Sequence, residues 1–201
     1  MSKLRRLVLV RHGETEGNSS VRYCGVTDVA LSDEGRNQIR EARRRLGRQV
    51  IDLVVASPLR RSWEAAQILF GDAPIVLDRD FREVDFGRWE GLTAEEIRAR
   101  DPILYEDWQA HVPGFEYPEG ETRQHFRDRI SRGLQRIAER GVTNALIVAH
   151  KGVIRAVAEE LLGEPLVEGA PELGGIVSVT RNPDGSWQLC RPGGDSRGGA
   201  S

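Results

Sequence analysis

Apolar positions along this chain fall into two patterns that alternate. Leu7 to Val10, Leu53-Val-Val-Ala56, Ile75-Val-Leu77, Ala145-Leu-Ile-Val-Ala149 and Ile176-Val-Ser-Val179 are short apolar runs without helical spacing. Such runs predict strands buried on both faces of a sheet. Trp187-Gln-Leu189 is a hairpin partner for the last of them, after the turn Asn182-Pro-Asp-Gly185. Between the runs the spacing becomes helical. Ser32 is a predicted N-cap, with Asp33 and Glu34 in the first turn, for a helix reaching about Arg48. Ser57 and Pro58 predict an N-cap followed by proline at the first helical position, which puts Arg60 in a first turn. Phe126, Ile130, Leu134 and Ile137 make one apolar stripe that Gly141 ends, and a last periodic helix follows Gly152.

Strands alternating with helices predict an α/β fold, a three-layer αβα sandwich around a mostly parallel central sheet with an antiparallel edge from the final hairpin. The expected organisation is a single domain over residues 1–191. Residues 101–121, with Trp108, Pro113, Phe115, Tyr117 and Pro118, read as an insertion of irregular structure and a short helix, a lid over the active-site edge. Residues 192–201, rich in Gly, Ser, Asp and Arg, read as a disordered tail.

Composition narrows the function classes. The 201 residues are 39% hydrophobic and 30% charged with a net charge of -2, an ordinary globular balance that argues against a nucleic-acid partner. The arginine run Arg36, Arg40, Arg43, Arg44, Arg45 and Arg48 reads as a solvated helix face, partly offset by Glu34 and Glu41. The apolar run before Arg11 is shorter than a leader's core, and no stretch approaches a membrane span, so the expectation is a cytoplasmic protein without a membrane partner. Cys24 and Cys190, the only cysteines, have neither disulfide nor metal-ligand spacing, and no metal or cofactor is expected. His111 and His125 likewise read as lid or surface residues rather than ligands.

The candidate chemistry sits at two strand ends. Arg11 and His12 follow the first run, with Gly13 allowing the backbone to turn, and His150 follows Ala145–Ala149. Ligands in open α/β sheets bind beyond the carboxyl ends of the strands, so the two histidines are expected to share one crevice. Lys151, one of only two lysines in the chain, follows the second histidine directly.

Four blocks, Arg11-His-Gly-Glu-Thr15, Ser57-Pro-Leu-Arg-Arg61, Phe81-Arg-Glu-Val-Asp-Phe-Gly87 and Val148-Ala-His150, resemble in type and order the histidine phosphatase superfamily, also called phosphoglycerate mutase-like. The resemblance runs from about Leu7 to Leu162. It implies metal-independent hydrolysis of a small phosphomonoester through a phosphohistidine intermediate. His12 is then the nucleophile, one ring nitrogen attacking while the other donates to a backbone carbonyl. Arg11 and Arg60 clamp the phosphate oxygens, with Arg61 as the competitor for the second place, and His150 stabilises developing charge. Glu83 matches the carboxyl group that protonates the leaving oxygen, with Asp85 as runner-up. Asn18 matches an amide donor. Cys24, Gly25 and Lys151 are candidate substrate contacts, Lys151 standing where many relatives have glycine and either recognising an acidic group or pointing to solvent. Glu119-Gly-Glu-Thr122 resembles a family segment, though capping of the following helix explains the same residues.

Within the superfamily the chain is similar to a small bacterial branch of α-ribazole, phosphoserine and sugar-phosphate phosphatases, the α-ribazole type being nearest. Phosphoglycerate mutases carry a longer basic insertion after the acid, whereas Gly87-Arg-Trp-Glu-Gly91 here runs directly into a short helix. Cys24-Gly25 also replaces the hydroxyl-glycine pair of several mutases. The alternatives are mutase-type phosphoryl transfer and a phosphate-binding sensor or scaffold with little turnover. The resemblance also suggests a homodimer, since relatives are often dimers and a sheet edge can pair.

Overall fold

A computed structural model describes residues 3–166 and 170–190. The tail expected at 192–201 lies outside the described residues. Six strands form one sheet: β1 (Arg6–Arg11), β2 (Leu53–Ala56), β3 (Ile75–Leu77), β4 (Asn144–Ala149), β5 (Ile176–Arg181) and β6 (Trp187–Cys190), in the order β3-β2-β4-β1-β5-β6. The first four are mutually parallel. β5 runs antiparallel to β1 and β6 antiparallel to β5.

Alternate side chains of the central strands feed opposite faces, because successive residues of a strand point to opposite sides. Leu7, Leu9, Val55, Ala145 and Ile147 pack on one side with Ile130, Leu134 and Ile137 of α5 (Arg123–Glu139) and Val153, Ile154 and Val157 of α6 (Lys151–Leu162). Val8, Val10, Val54, Leu146 and Val148 pack on the other with Ile39 and Ala42 of α1 (Asp33–Leu46) and Ala65 and Leu69 of α2 (Arg60–Phe70). Each buried Leu, Ile or Val stabilises the sandwich by about 1.5–3 kcal/mol. Two central strands coated on both faces make β1 and β4 a rigid base for whatever their carboxyl ends carry.

Helix ends show where local signals gave way to tertiary ones. Ser32 caps α1 as expected, accepting from the Gly35 amide, but the helix stops at Leu46, where Gly47 takes φ 60° and donates to Arg43 O. Ser57 does not cap α2. The helix begins at Arg60, after Pro58, and its first amide donates at 2.6 Å to Asp28 Oδ1 from a remote loop. Ser57 Oγ is engaged with His150 instead.

Two short helices, α3 (Ala94–Arg100) and α4 (Pro102–Gln109), and the segment after them form a third, aromatic core. Trp89, Ile97 and Phe115 are buried there, with Tyr23, Phe86, Tyr105, Trp108 and Tyr117 packed around them, many ring to ring at 5.0–6.1 Å. Residues 101–121 contribute the short helix α4 and the non-helical segment after it, with Trp108, Phe115 and Tyr117 packed into this core. Among the described residues no helix is long and apolar enough to cross a membrane.

Candidate active site

β1 and β4 are hydrogen-bonded neighbours, so their carboxyl ends deliver His12 and His150 side by side. The His12 amide donates to Ala149 O at 3.0 Å, and the two ring centroids lie 5.1 Å apart. Gly13 is required by close approach: a Cβ there would meet Gly35 O at 2.3 Å. His12 Nδ1 lies 2.7 Å from Gly13 O. A carbonyl only accepts, so the proton sits on Nδ1 and the Nε2 lone pair is left for chemistry. Burial, assisted by the nearby Arg61 and Arg11 charges, pushes the His12 pKa well below its usual value, so the ring is neutral at pH 7.

Arg61, not Arg60, enters the site. It is fully buried, and its Nε donates to His150 Nδ1 at 3.2 Å. Nη1 donates to Thr27 O at 2.7 Å, and Nη2 to Cys24 O and Gly25 O at 2.8 and 2.6 Å. Arg60 faces solvent and pairs with Glu64 at 2.7 Å. The reason is helical phase. Arg61 shares a face with Ala65 and Leu69, both buried, whereas Arg60 stands one turn from Glu64 on the polar face. That periodicity was the signal in the sequence that separates the two arginines.

His150 is also held neutral, chiefly by burial and then by the Arg61 charge. Its Nδ1 accepts from Arg61, which leaves the proton on Nε2, where it donates to Ser57 Oγ at 2.8 Å. Both ring nitrogens are thus engaged by protein, so His150 in this arrangement orients Arg61 rather than offering an N–H to an anion. Arg11 differs. Its Nη1 donates to Pro171 O at 3.1 Å, but its buried Nε has no partner, alone in this among the buried side-chain nitrogens and oxygens of the described residues.

Glu83 reaches the same crevice from the irregular segment after β3. The side chain is buried, Oε2 accepting from the Gly152 amide at 3.0 Å in the first turn of α6 and Oε1 from the Val84 amide at 3.0 Å. A Cβ on Gly152 would fall 2.5 Å from Oε1, so the carboxylate approaches closely only because residue 152 has no side chain. Its charge is felt by both Arg11 and Arg61. Asp85, the runner-up, instead accepts from the Gly87 amide within its own turn.

The other candidates are placed differently from one another. Cys24 and Gly25 present their carbonyls to Arg61, making them its seat. Burial raises the Cys24 thiol pKa, which keeps it protonated. A Cβ on Gly25 would meet Val84 O at 2.1 Å. Asn18 is exposed, with φ 54° in the left-handed region that asparagine tolerates, and its carbonyl accepts from Val21 and Arg22 in the loop turn. Lys151 is exposed at the start of α6. Thr122 caps α5 and Glu121 binds Arg129, so that segment is structural.

Sequence reasoning missed Glu90. Its carboxylate accepts from the amides of Gly25, Val26, Thr27 and Phe86 and from the Thr27 hydroxyl. It thereby shapes the loop whose carbonyls seat Arg61. Nothing at a single position announces this, because Gly25, Val26 and Thr27 lie more than sixty residues away in sequence. Among the described residues no three His, Cys, Asp or Glu side chains converge to hold a metal ion.

A neutral, oriented histidine beside two arginines and a carboxylate suits phosphoryl transfer, and comparison with known proteins agrees. Residues 7–189 match the histidine phosphatase superfamily (branch 1). A glucosyl-3-phosphoglycerate phosphatase of Mycolicibacterium vanbaalenii is 34% identical over 185 residues, 87% of this chain and 81% of that one. The adenosylcobalamin/α-ribazole phosphatase of Escherichia coli is 31% identical over 167 residues, 80% of each. The crystal structure of the α-ribazole phosphatase of Shigella flexneri superposes with a TM-score of 0.81 at 28% identity, covering 92% of this chain and 95% of that one. With that match spanning nearly the whole chain and both histidines on adjacent strand ends, the protein belongs to branch 1 of the histidine phosphatase superfamily and is a phosphatase enzyme.

Proposed function

We propose that the chain hydrolyses a small phosphorylated metabolite, without a metal, through a phosphohistidine on His12. The observation that carries this reading is the pairing of His12 with Arg11. The Nδ1–H···O=C bond to Gly13 leaves Nε2 as the nucleophilic nitrogen, and Arg11, whose charge is felt at His12, keeps a buried Nε without a partner. A buried donor without a partner costs about 1–3 kcal/mol, a penalty that an anionic oxygen would remove.

Burial keeps His12 neutral and hence able to attack phosphorus. Arg11 and Arg61 bring positive charge to the transferring oxygens, the role expected of Arg11 and Arg60 from sequence now falling to Arg61. The Glu83 carboxyl would give its proton to the leaving oxygen as the P–O bond breaks. It would then take a proton from the water that attacks the phosphohistidine, returning His12 to its free state and releasing phosphate. His150 would act by holding Arg61, and any direct contact with phosphate requires Nδ1 to exchange its Arg61 bond. The names of two relatives, an α-ribazole and a glucosyl-3-phosphoglycerate phosphatase, support a phosphorylated metabolite as substrate.

The test is product analysis in EDTA over a panel of phosphomonoesters, with quenching in alkaline detergent to trap a base-stable, acid-labile phosphoenzyme. Wild type should release phosphate and form the adduct, and His12→Ala should lose both by about 10⁴-fold or more. Isomerisation without phosphate release would replace hydrolysis by mutase chemistry. Phosphate binding without turnover would replace it by a sensor.

A further inference from the structure

Arg129 of α5 is a cation only 4% exposed. Its five donor bonds are all directed to one place. Nε and Nη2 grip the two oxygens of Glu121 at 2.8 and 2.7 Å. Nη1 donates to Asp80 O and Arg82 O at 2.7 and 2.6 Å, and Nη2 to Glu83 O at 3.0 Å. Glu121 completes the clamp from the other side by donating its own amide to Asp85 O at 2.9 Å. The Phe126 ring lies against the guanidinium, 4.6 Å from its carbon.

The segment so gripped belongs to no strand or helix after Phe81, so its carbonyls have no ladder partners. A buried ion pair is weak evidence of a stabilising role, since apolar residues of similar volume often serve as well. What apolar residues cannot do is fix the directions of three carbonyls, those of Asp80, Arg82 and Glu83. Arg129 makes no contact with the Glu83 carboxylate, which is held by the Gly152 and Val84 amides. Its hold on that carboxylate runs through the backbone alone.

We propose that Arg129, anchored by Glu121, is a positioning residue that sets the reach of the Glu83 carboxyl group toward the leaving oxygen. The inference rests on Glu83 being the general acid. Arg129→Met keeps volume and removes the fork. Its kcat for a poor leaving group such as an alkyl phosphate should fall about 30- to 100-fold, and that for p-nitrophenyl phosphate less than about 3-fold, as expected for impaired proton donation. Orthovanadate affinity should stay within about 3-fold, because the arginine clamp is untouched. Combining Arg129→Met with Glu83→Gln should add no further loss, since both remove the same step. Glu121→Gln, which leaves Arg129 in place, should show the same leaving-group dependence more weakly, and it carries the test should Arg129→Met fail to fold. Equal losses on both esters in these variants, or full additivity with Glu83→Gln, would overturn the positioning role. If Glu83→Gln itself shows no leaving-group dependence, the acid assignment falls and this inference with it. If Glu83→Gln shows it and the Arg129 and Glu121 variants do not, only this inference falls.

Discussion

The two halves of the crevice are built in opposite ways. His12 and His150 ride on β1 and β4, whose paired backbones and doubly coated faces leave little freedom, so the strand ends place them directly. Glu83 and the seat of Arg61 lie on irregular segments, and there charged side chains do the placing, Arg129 buried and Glu90 half-buried. Arg129 gathers carbonyls around Glu83, and Glu90 gathers amides around Gly25 to Thr27. The two hubs are of opposite charge because one meets acceptors and the other donors. Regular structure satisfies its own backbone, whereas an irregular buried loop must import partners from elsewhere.

The sharpest way to break this picture is at the arginines. Arg61→Ala should lower kcat/KM about 10³-fold, the size of effect seen when a transition-state arginine is lost. Arg60→Ala, which deletes an exposed ion pair, should change kcat/KM by less than about 3-fold, because such pairs contribute about 1 kcal/mol or less. Steady-state kinetics on one ester suffices, and the reverse order would restore the assignment to Arg60.

Next in size is Glu83→Gln. Turnover of alkyl phosphates should drop about 10²-fold or more, with p-nitrophenyl phosphate much less affected, because a good leaving group needs no proton. Comparable losses for both esters would leave Glu83 with a purely structural part on the irregular side.

The strand-end side can be probed by pH. His12 and His150 have pKa values held well below the usual 6.5 by burial, then by the Arg61 charge. Each stays neutral in the folded chain where the unfolded chain binds a proton, so unfolding takes up protons. The stability is fully present above about pH 6.5 and drains as pH falls below it, at about 1.4 kcal/mol per pH unit for each histidine until the folded pKa is reached. Denaturant melts between pH 7 and pH 5 should show this slope, and His150→Gln, a neutral replacement, should roughly halve it. An unchanged slope would mean that His150 already takes up its proton in the folded state.

The smallest effect is expected at Lys151, exposed at the rim. Lys151→Ala should alter the preference for substrates with a second anionic group by about 5-fold at most, within the reach of one exposed ion pair. No change in relative kcat/KM would assign the side chain to solvent.

The sequence by itself determined the sandwich, its strands and the two histidines, because a buried strand must be apolar on both faces and a residue that ends it must lie at the sheet's edge. It also contained the choice between Arg60 and Arg61, through the apolar stripe of Ala65 and Leu69, although the signal from Ser57 and Pro58 masked it by suggesting an earlier helix start. Only the tertiary structure decided that Ser57 serves His150 and that Asp28 caps α2 in its place. It alone decided that Glu90 and Arg129 organise the loops. Those partners are brought together from distant segments, and no local propensity records which buried amide or carbonyl a remote charge will meet.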